Sequence, residues 1–303
     1  MTSNQTITAV PGIQVGHWTD RDAATGVTVI DLPEPNLAAF EARGGAPGTR
    51  ETALLAPSMK VETIQAIVFS GGSAFGLAAA DGVMRELAAA GRGHPTPAGP
   101  VPIVPAAILY DLLVGKNKPP TAEAGAAAYL ARTADPVELG SVGAGTGATV
   151  SKWSGFEEMR KAGIGSAATR VGTATLGVLA AVNAVGDVVD LHGNWISGGP
   201  TLEPPEVEGF RQNTTLVLVA TDASLSKSDL LRLIVRSHDA LAATLRPAHT
   251  RYDGDIVYAV SCGEEAADMD LLGEVAFSAT AAAIVSSVRN ATTLAGIPAV
   301  TDD

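Results

Sequence analysis

The sequence predicts an α+β protein whose sheets are stacked and covered by helices. Three observations lead there. The strand-like runs are short, at residues 26–30, 66–69, 176–182, 187–189, 216–220 and 256–260, and are rich in the β-branched and aliphatic residues of buried strands. The helical runs, 74–90, 122–133, 227–245 and 271–289, come late or between hairpins. A doubly wound parallel fold would show regular strand–helix alternation instead. Hydrophobic residues make up 46% of the chain but aromatic ones only 4%. The core therefore has to be closely packed Ala, Val, Leu and Ile, with glycine where backbones approach.

Taken in order, the first strand is Gly26-Val27-Thr28-Val29-Ile30. A loop follows at Gly44-Gly45-Ala46-Pro47-Gly48-Thr49-Arg50-Glu51-Thr52. The strand 66–69 passes through Ser70-Gly71-Gly72-Ser73-Ala74-Phe75-Gly76 into the helix 74–90. Pro95, Pro97, Pro100, Pro102 and Pro105 mark a surface connection. A third glycine cluster, Gly143-Ala144-Gly145-Thr146-Gly147-Ala148, precedes Val150-Ser151-Lys152. Glycine-rich turns can pack backbones closely, cradle an anion or hold a nucleotide. No Gly-Lys-Ser/Thr follows any of them, so a Walker loop is absent. Glu203-Pro204-Pro205-Glu206 marks a second exposed connection, ahead of the strand 216–220. Ser226 or Ser228 is placed to cap the helix 227–245. Asp253-Gly254-Asp255 opens the last strand, either as a hairpin turn or as a carboxylate pair behind a nucleophile.

The chain has 303 residues and no repeat or low-complexity tail, and 1–303 reads as one domain. Its net charge of −12 and lack of Lys/Arg clusters argue against nucleic acid. No run approaches bilayer length, and the polar N-terminus lacks a basic start and apolar core, so the expectation is a cytoplasmic protein without a membrane partner. The single cysteine, Cys262, follows a probable strand and reads as a buried structural thiol. His17, His94, His192, His238 and His249 show no metal-ligand spacing, and no metal or organic cofactor is expected.

The stretch richest in chemistry is Arg211-Gln212-Asn213-Thr214-Thr215, at the mouth of the apolar run 216–220. Asn-Thr-Thr can be a turn or a glycosylation acceptor, and two further acceptor triplets begin at Asn4 and Asn290. It can also be a self-cleavage site. A threonine freed at its amino side carries a nucleophilic hydroxyl and, in its own α-amine, the base. Cleavage between Asn213 and Thr214 would give chains 1–213 and 214–303.

These motifs together resemble the DmpA-type peptidases, the family of L-aminopeptidase/D-Ala-esterase/amidase, the β-aminopeptidases and the nylon-oligomer hydrolases. The resemblance runs from Val10-Pro11-Gly12-Ile13 to Gly296-Ile297-Pro298. It takes in the three glycine clusters, Val104-Pro105-Ala106-Ala107-Ile108-Leu109-Tyr110-Asp111, Val182-Asn183-Ala184-Val185-Gly186, Asn213-Thr214-Thr215, and Ala248-His249-Thr250 with Asp253-Gly254-Asp255. It implies a four-layer αββα sandwich, layered like the N-terminal-nucleophile hydrolases, and self-cleavage ahead of Thr214. By the same resemblance Lys152 stands near the nucleophile and Asn183 and Tyr110 serve the oxyanion. Asp253 and Asp255 lie behind the nucleophile. A short peptide or amide is the implied substrate, and a tetramer of two-chain units the implied assembly. Residues 191–213 look shorter than is usual in the family. Two other readings remain: an endo-acting amidase on oligomeric amides, and a glycine-rich ligand-binding protein without turnover.

Overall fold

The computed structural model describes residues 4–153, 155–200 and 212–302. Its strands are β1 (Gln14–Asp20), β2 (Thr25–Asp31), β3 (Leu37–Ala42), β4 (Thr49–Arg50), β5 (Ala66–Ser70), β6 (Ala106–Ile108), β7 (Thr149–Val150), β8 (Arg160–Lys161), β9 (Ile164–Val171), β10 (Ala174–Asn183), β11 (Asp187–Val188), β12 (Thr214–Ala223), β13 (Leu245–Arg246) and β14 (Ile256–Glu265). The helices are α1 (Ala79–Ala89), α2 (Ala122–Leu130), α3 (Lys227–Thr244) and α4 (Met269–Arg289). Two five-stranded sheets carry the fold, in the orders β1-β2-β5-β6-β4 and β3-β14-β12-β10-β9.

Strand alternation builds the layers. In β12, Leu216, Leu218 and Ala220 point between the sheets, where they meet Ile67, Phe69, Leu179 and Tyr258. Val217 and Val219 point the other way, onto Leu233 and Ile234 of α3 and Ile284 of α4. Across the first sheet Val27, Val29 and Val68 pack on Val83 and Leu87 of α1 and Ala124 and Ala128 of α2. The order is helices, sheet, sheet, helices: the αββα sandwich. Every residue of β12 is buried. Each large apolar side chain so buried contributes about 1.5–3 kcal/mol relative to exposure.

Several elements differ from their sequence expectation, each for a local reason. The helix expected at 74–90 starts as a 3-10 turn, Ser73–Ala78, before α1 begins. The helix expected to reach 133 stops at Leu130, because Thr133 pairs its N–H and carbonyl with Val15 at 3.1 and 3.0 Å. The turn at 253–255 is not a hairpin: β12 and β14 run parallel, and parallel neighbours need a crossover, supplied by α3. Strands β1 and β9 carried no apolar run to announce them, and the short run Leu37-Ala38-Ala39-Phe40 of β3 was not among the expected strands. Of the proline-rich connection, Pro95, Pro97 and Pro100 are exposed, but Pro102 and Pro105 are buried on the way into β6. Ser226 is the α3 cap, in a reciprocal capping box with Asp229. Contrary to the expectation of no run of bilayer length, α4 has 21 residues and is apolar enough to cross a membrane by length and composition. It is nonetheless a core helix, with Leu272, Ala276, Ile284 and Val288 buried among the side chains of the second sheet. The segment Glu203-Pro204-Pro205-Glu206 and Arg211 lie outside the described residues.

Candidate active site at the mouth of the central strand

Thr214 is the first residue of the central strand of the second sheet. Its two neighbours bring everything else to it. On the antiparallel side Asn183, the last residue of β10, stands directly opposite Thr214. Opposed residues of an antiparallel pair put their side chains on one face, with Cβ atoms about 4.5–5.5 Å apart. On the parallel side Asn213 bridges Asp253, which places 253–255 at the entrance of β12.

The Asn213–Thr214 peptide is held on both sides. Thr214 Oγ1 donates to the Asn213 carbonyl oxygen at 2.5 Å. The Gly254 N–H donates to the same oxygen at 2.7 Å. An oxygen with two aimed donors is polarised, and its carbon is more electrophilic. Gly254 has to be glycine: a Cβ there would lie 2.7 Å from Thr214 Oγ1 and 2.9 Å from the Ala46 carbonyl. Sequence reading took this glycine for a turn former and missed its N–H.

The two aspartates are divided between tasks. Asp255 accepts the Thr215 N–H at 2.8 Å with Oδ1. With Oδ2 it accepts the His249 N–H at 2.9 Å and meets His249 Nδ1 at 2.8 Å. Asp253 accepts the Thr250 hydroxyl at 2.6 Å and its N–H at 2.9 Å. Burial, followed by the charge of Asp255, pushes the Asp253 carboxyl up to about 6.

Lys152, Asn183 and Tyr110 form the other wall. Lys152 Nζ donates to Asn183 Oδ1 at 2.9 Å and to its carbonyl at 3.3 Å. The Thr149 N–H donates to the same Oδ1 at 3.0 Å. Asn183 Nδ2 donates to the Tyr110 carbonyl at 3.0 Å. Tyr110 thus orients Asn183 through its backbone, a contact the sequence did not foretell. Desolvation pushes the Lys152 ammonium down to about 7, partly opposed by Asp253. A cavity of about 220 Å³ opens beside Asn213, lined by Lys152 and Thr149 and by Tyr110, Leu113, Val114, Phe156 and Met159.

Most amides of the two glycine clusters at 70–76 and 143–148 are engaged within the protein. Gly143 and Ala144 donate to Thr19 and Thr28 hydroxyls, and Gly72 to Asp111 Oδ1. Gly145, Thr146 and Ala148 donate to carbonyls of the same loop, and Gly71 and Ser73 to those of Gly26 and Leu109. Anions need free N–H groups, so these clusters read as packing. The cluster at 44–46 supports the site: Gly44, Gly45 and Ala46 donate to the carbonyls of Asp255, Thr250 and Asp253. Ser151 donates to Ser197 at 2.8 Å inside the protein.

Comparison with known proteins places the fold and the family. The fold matches a Burkholderia β-aminopeptidase with a TM-score of 0.74 and 23% identity, over 99% of this chain and 93% of that one. It matches the L-aminopeptidase D-Ala-esterase/amidase of Ochrobactrum anthropi, described as a variant of the Ntn hydrolase fold, with a TM-score of 0.75 and 20% identity over 95% and 86%. An uncharacterized aminopeptidase of Mycobacterium tuberculosis is 40% identical, over 98% of this chain and 97% of its own length. That alignment spans 343 positions, so the relative carries insertions absent from this 303-residue chain. A 6-aminohexanoate-oligomer endohydrolase of Paenarthrobacter ureafaciens is 27% identical over 84% and 74%. The model of peptidase family S58 matches residues 5–301, and the chain belongs to that family. It is an aminopeptidase-like peptide hydrolase.

Proposed function

We propose that this chain cuts itself between Asn213 and Thr214 and then works as an N-terminal-threonine amide hydrolase, an aminopeptidase on short peptides or amides. The observation that carries the reading is the geometry of one peptide: a threonine hydroxyl and the Gly254 N–H converge on the carbonyl oxygen that precedes the threonine. In the precursor, Thr214 Oγ1 adds to the Asn213 carbonyl carbon. The C–N bond breaks, the Thr214 amine takes the proton, and water opens the resulting ester. The freed α-amine has an ordinary pKa of about 7.7–8.0 and suits proton transfer near neutrality.

In turnover the substrate acyl group takes the place of Asn213. Thr214 Oγ1 attacks, the amine leaves with a proton, and water releases the acyl group. The Gly254 N–H and the Asn183 amide serve the oxyanion, with Tyr110 orienting Asn183. Lys152, poised near neutrality, holds Asn183 and is placed to exchange protons. Asp253 and Asp255 brace the loop and strand behind the nucleophile. The cavity, mostly apolar but with Lys152 and Asp111 in its lining, is placed to take the side chain of the acyl residue. Both chains would stay together, since β12 is a core strand. We take the assembly to be a tetramer of two-chain units, and light scattering on processed enzyme checks it.

Intact mass and N-terminal sequencing test the central claim. A new terminus at Thr214 is expected, with Thr214→Ala abolishing both scission and turnover. Active wild-type protein that stays at full mass would sink the reading. A second reading, internal cleavage of oligomeric amides, is favoured by the relative named as an oligomer endohydrolase. Product analysis on a defined oligomer separates them, since an aminopeptidase releases terminal units first.

A further inference from the structure

We propose that His249 is a positioning residue for the nucleophile, locking Asp255 so that Asp255 anchors the backbone just behind Thr214. This rests on the reading of Thr214 as nucleophile. Beyond the isolated Asn213–Asp253 bridge, which scission would part from Thr214, continuous register pairing with β14 begins at Leu216, opposite Ile256. The N–H of Thr215 is one residue short of that pairing and is taken instead by the Asp255 carboxylate. Once the chain is cut, Thr214 is a terminus. Termini fray unless tied down, and on the β14 side the tie is this hydrogen bond.

A carboxylate can do this only if its rotamer is fixed. Asp255 is 1% exposed, and its second oxygen is held twice by His249, through the backbone N–H and through Nδ1. That double grip requires an unusual backbone: His249 has φ +54, a region in which Asn, Asp and His are enriched among non-glycine residues. The ring is confined as well. His238 packs edge-on against it with centroids 4.9 Å apart, and His238 Nε2 faces the Glu41 carbonyl at 3.3 Å. Among the described residues His249 Nε2 is buried with no hydrogen-bond partner, and Nδ1 is the nitrogen that carries the contact. An Nδ1–H donor toward Asp255 is the arrangement in which the carboxylate stays an acceptor for Thr215.

Three proteins test this: wild type, His249→Leu and His249→Asn. Leu removes the side-chain donor. Asn keeps an N–H at the position of Nδ1 and tolerates the positive φ. Wild type should show the Thr214 terminus; if it does not, the nucleophile reading fails and not this one alone. Given that terminus, His249→Leu should lower kcat roughly ten- to hundredfold with KM within about twofold, the signature of a misplaced reacting group. His249→Asn should recover most of the loss. Nitrogen-labelled histidine spectra of wild type should show one ring protonated at Nδ1, absent from both variants. A processed Leu variant with wild-type kcat overturns the proposal, as do Leu and Asn variants equally impaired. Should His249→Leu fail to fold, a wild-type spectrum without the Nδ1–H, or an Asn variant with kcat reduced as far as expected for Leu, overturns it.

Discussion

Lys152 and Lys161 flank one short segment and share one electrostatic fate, yet their surroundings differ. Burial pushes both ammonium groups down to about 7. Lys161 is sealed, 0% exposed, with Nζ donating to the Thr146 and Ala148 carbonyls at 2.7 Å each and Asp111 nearby as the compensating charge. Lys152 is half-buried, lines the cavity and donates to the side chain that stands opposite Thr214. A perturbed lysine is therefore no marker of chemistry by itself. Access to a cavity and contact with a site residue distinguish the two.

The largest expected effects lie on the cavity side. Asn183→Ala should lower kcat by roughly 10²–10³ through loss of an oxyanion donor, with a smaller change in KM. Lys152→Met should cost about 10² or more in kcat if the amine moves protons, with a smaller loss of stability than Lys161→Met. Steady-state kinetics on fully processed protein measure both. If Lys161→Met cuts kcat as deeply as Lys152→Met, the comparison breaks.

Lys161→Met should instead act on stability. It leaves two buried carbonyls without their donor and Asp111 without its countercharge, a loss of about 2–4 kcal/mol. Denaturant titration reads this directly, with folded variant retaining near-native kcat.

The two lysines also separate by pH. Each folded value, about 7, lies below the ordinary 10.5. Between those values the unfolded chain binds more protons, so stability should rise with pH from about 7 to 10.5 and level off below 7. Lys161→Met should flatten part of that slope without touching the pH–rate profile. Lys152→Met should remove a limb of kcat that rises through about 7, leaving the limb of the Thr214 amine. A rate profile unchanged in Lys152→Met would show that its charge does not enter turnover.

The smallest effect is expected at Cys262. Its Sγ donates to the Thr221 carbonyl at 3.3 Å, and burial pushes the thiol up to about 12. It is partly rather than fully buried, which modifies the sequence expectation without making it reactive. Cys262→Ala should leave kcat within about twofold, and the wild-type thiol should resist alkylation near neutral pH. Fast alkylation with loss of activity would overturn that.

The sequence by itself determined stacked sheets covered by helices and, through its family resemblance, the residues proposed to carry the chemistry. Apolar runs such as 216–220 alternate between two buried faces, and that periodicity is a one-dimensional property. The Asn-Thr-Thr triplet, Asp253 and Asp255 were legible as residue types whose chemistry is local. What only the tertiary structure decided is who stands next to whom. Asn183 opposes Thr214 because β10 and β12 pair in one register out of several that their apolar patterns would admit. The Gly254 N–H reaches the Asn213 carbonyl because β14 returns parallel to β12 after α3. His249 meets Asp255 because a left-handed backbone aims both its N–H and its ring at that carboxylate. Backbone donors, strand register and loop handedness carry no signature in residue type. They are fixed by long-range pairing and burial, which a single chain read along its length does not reveal.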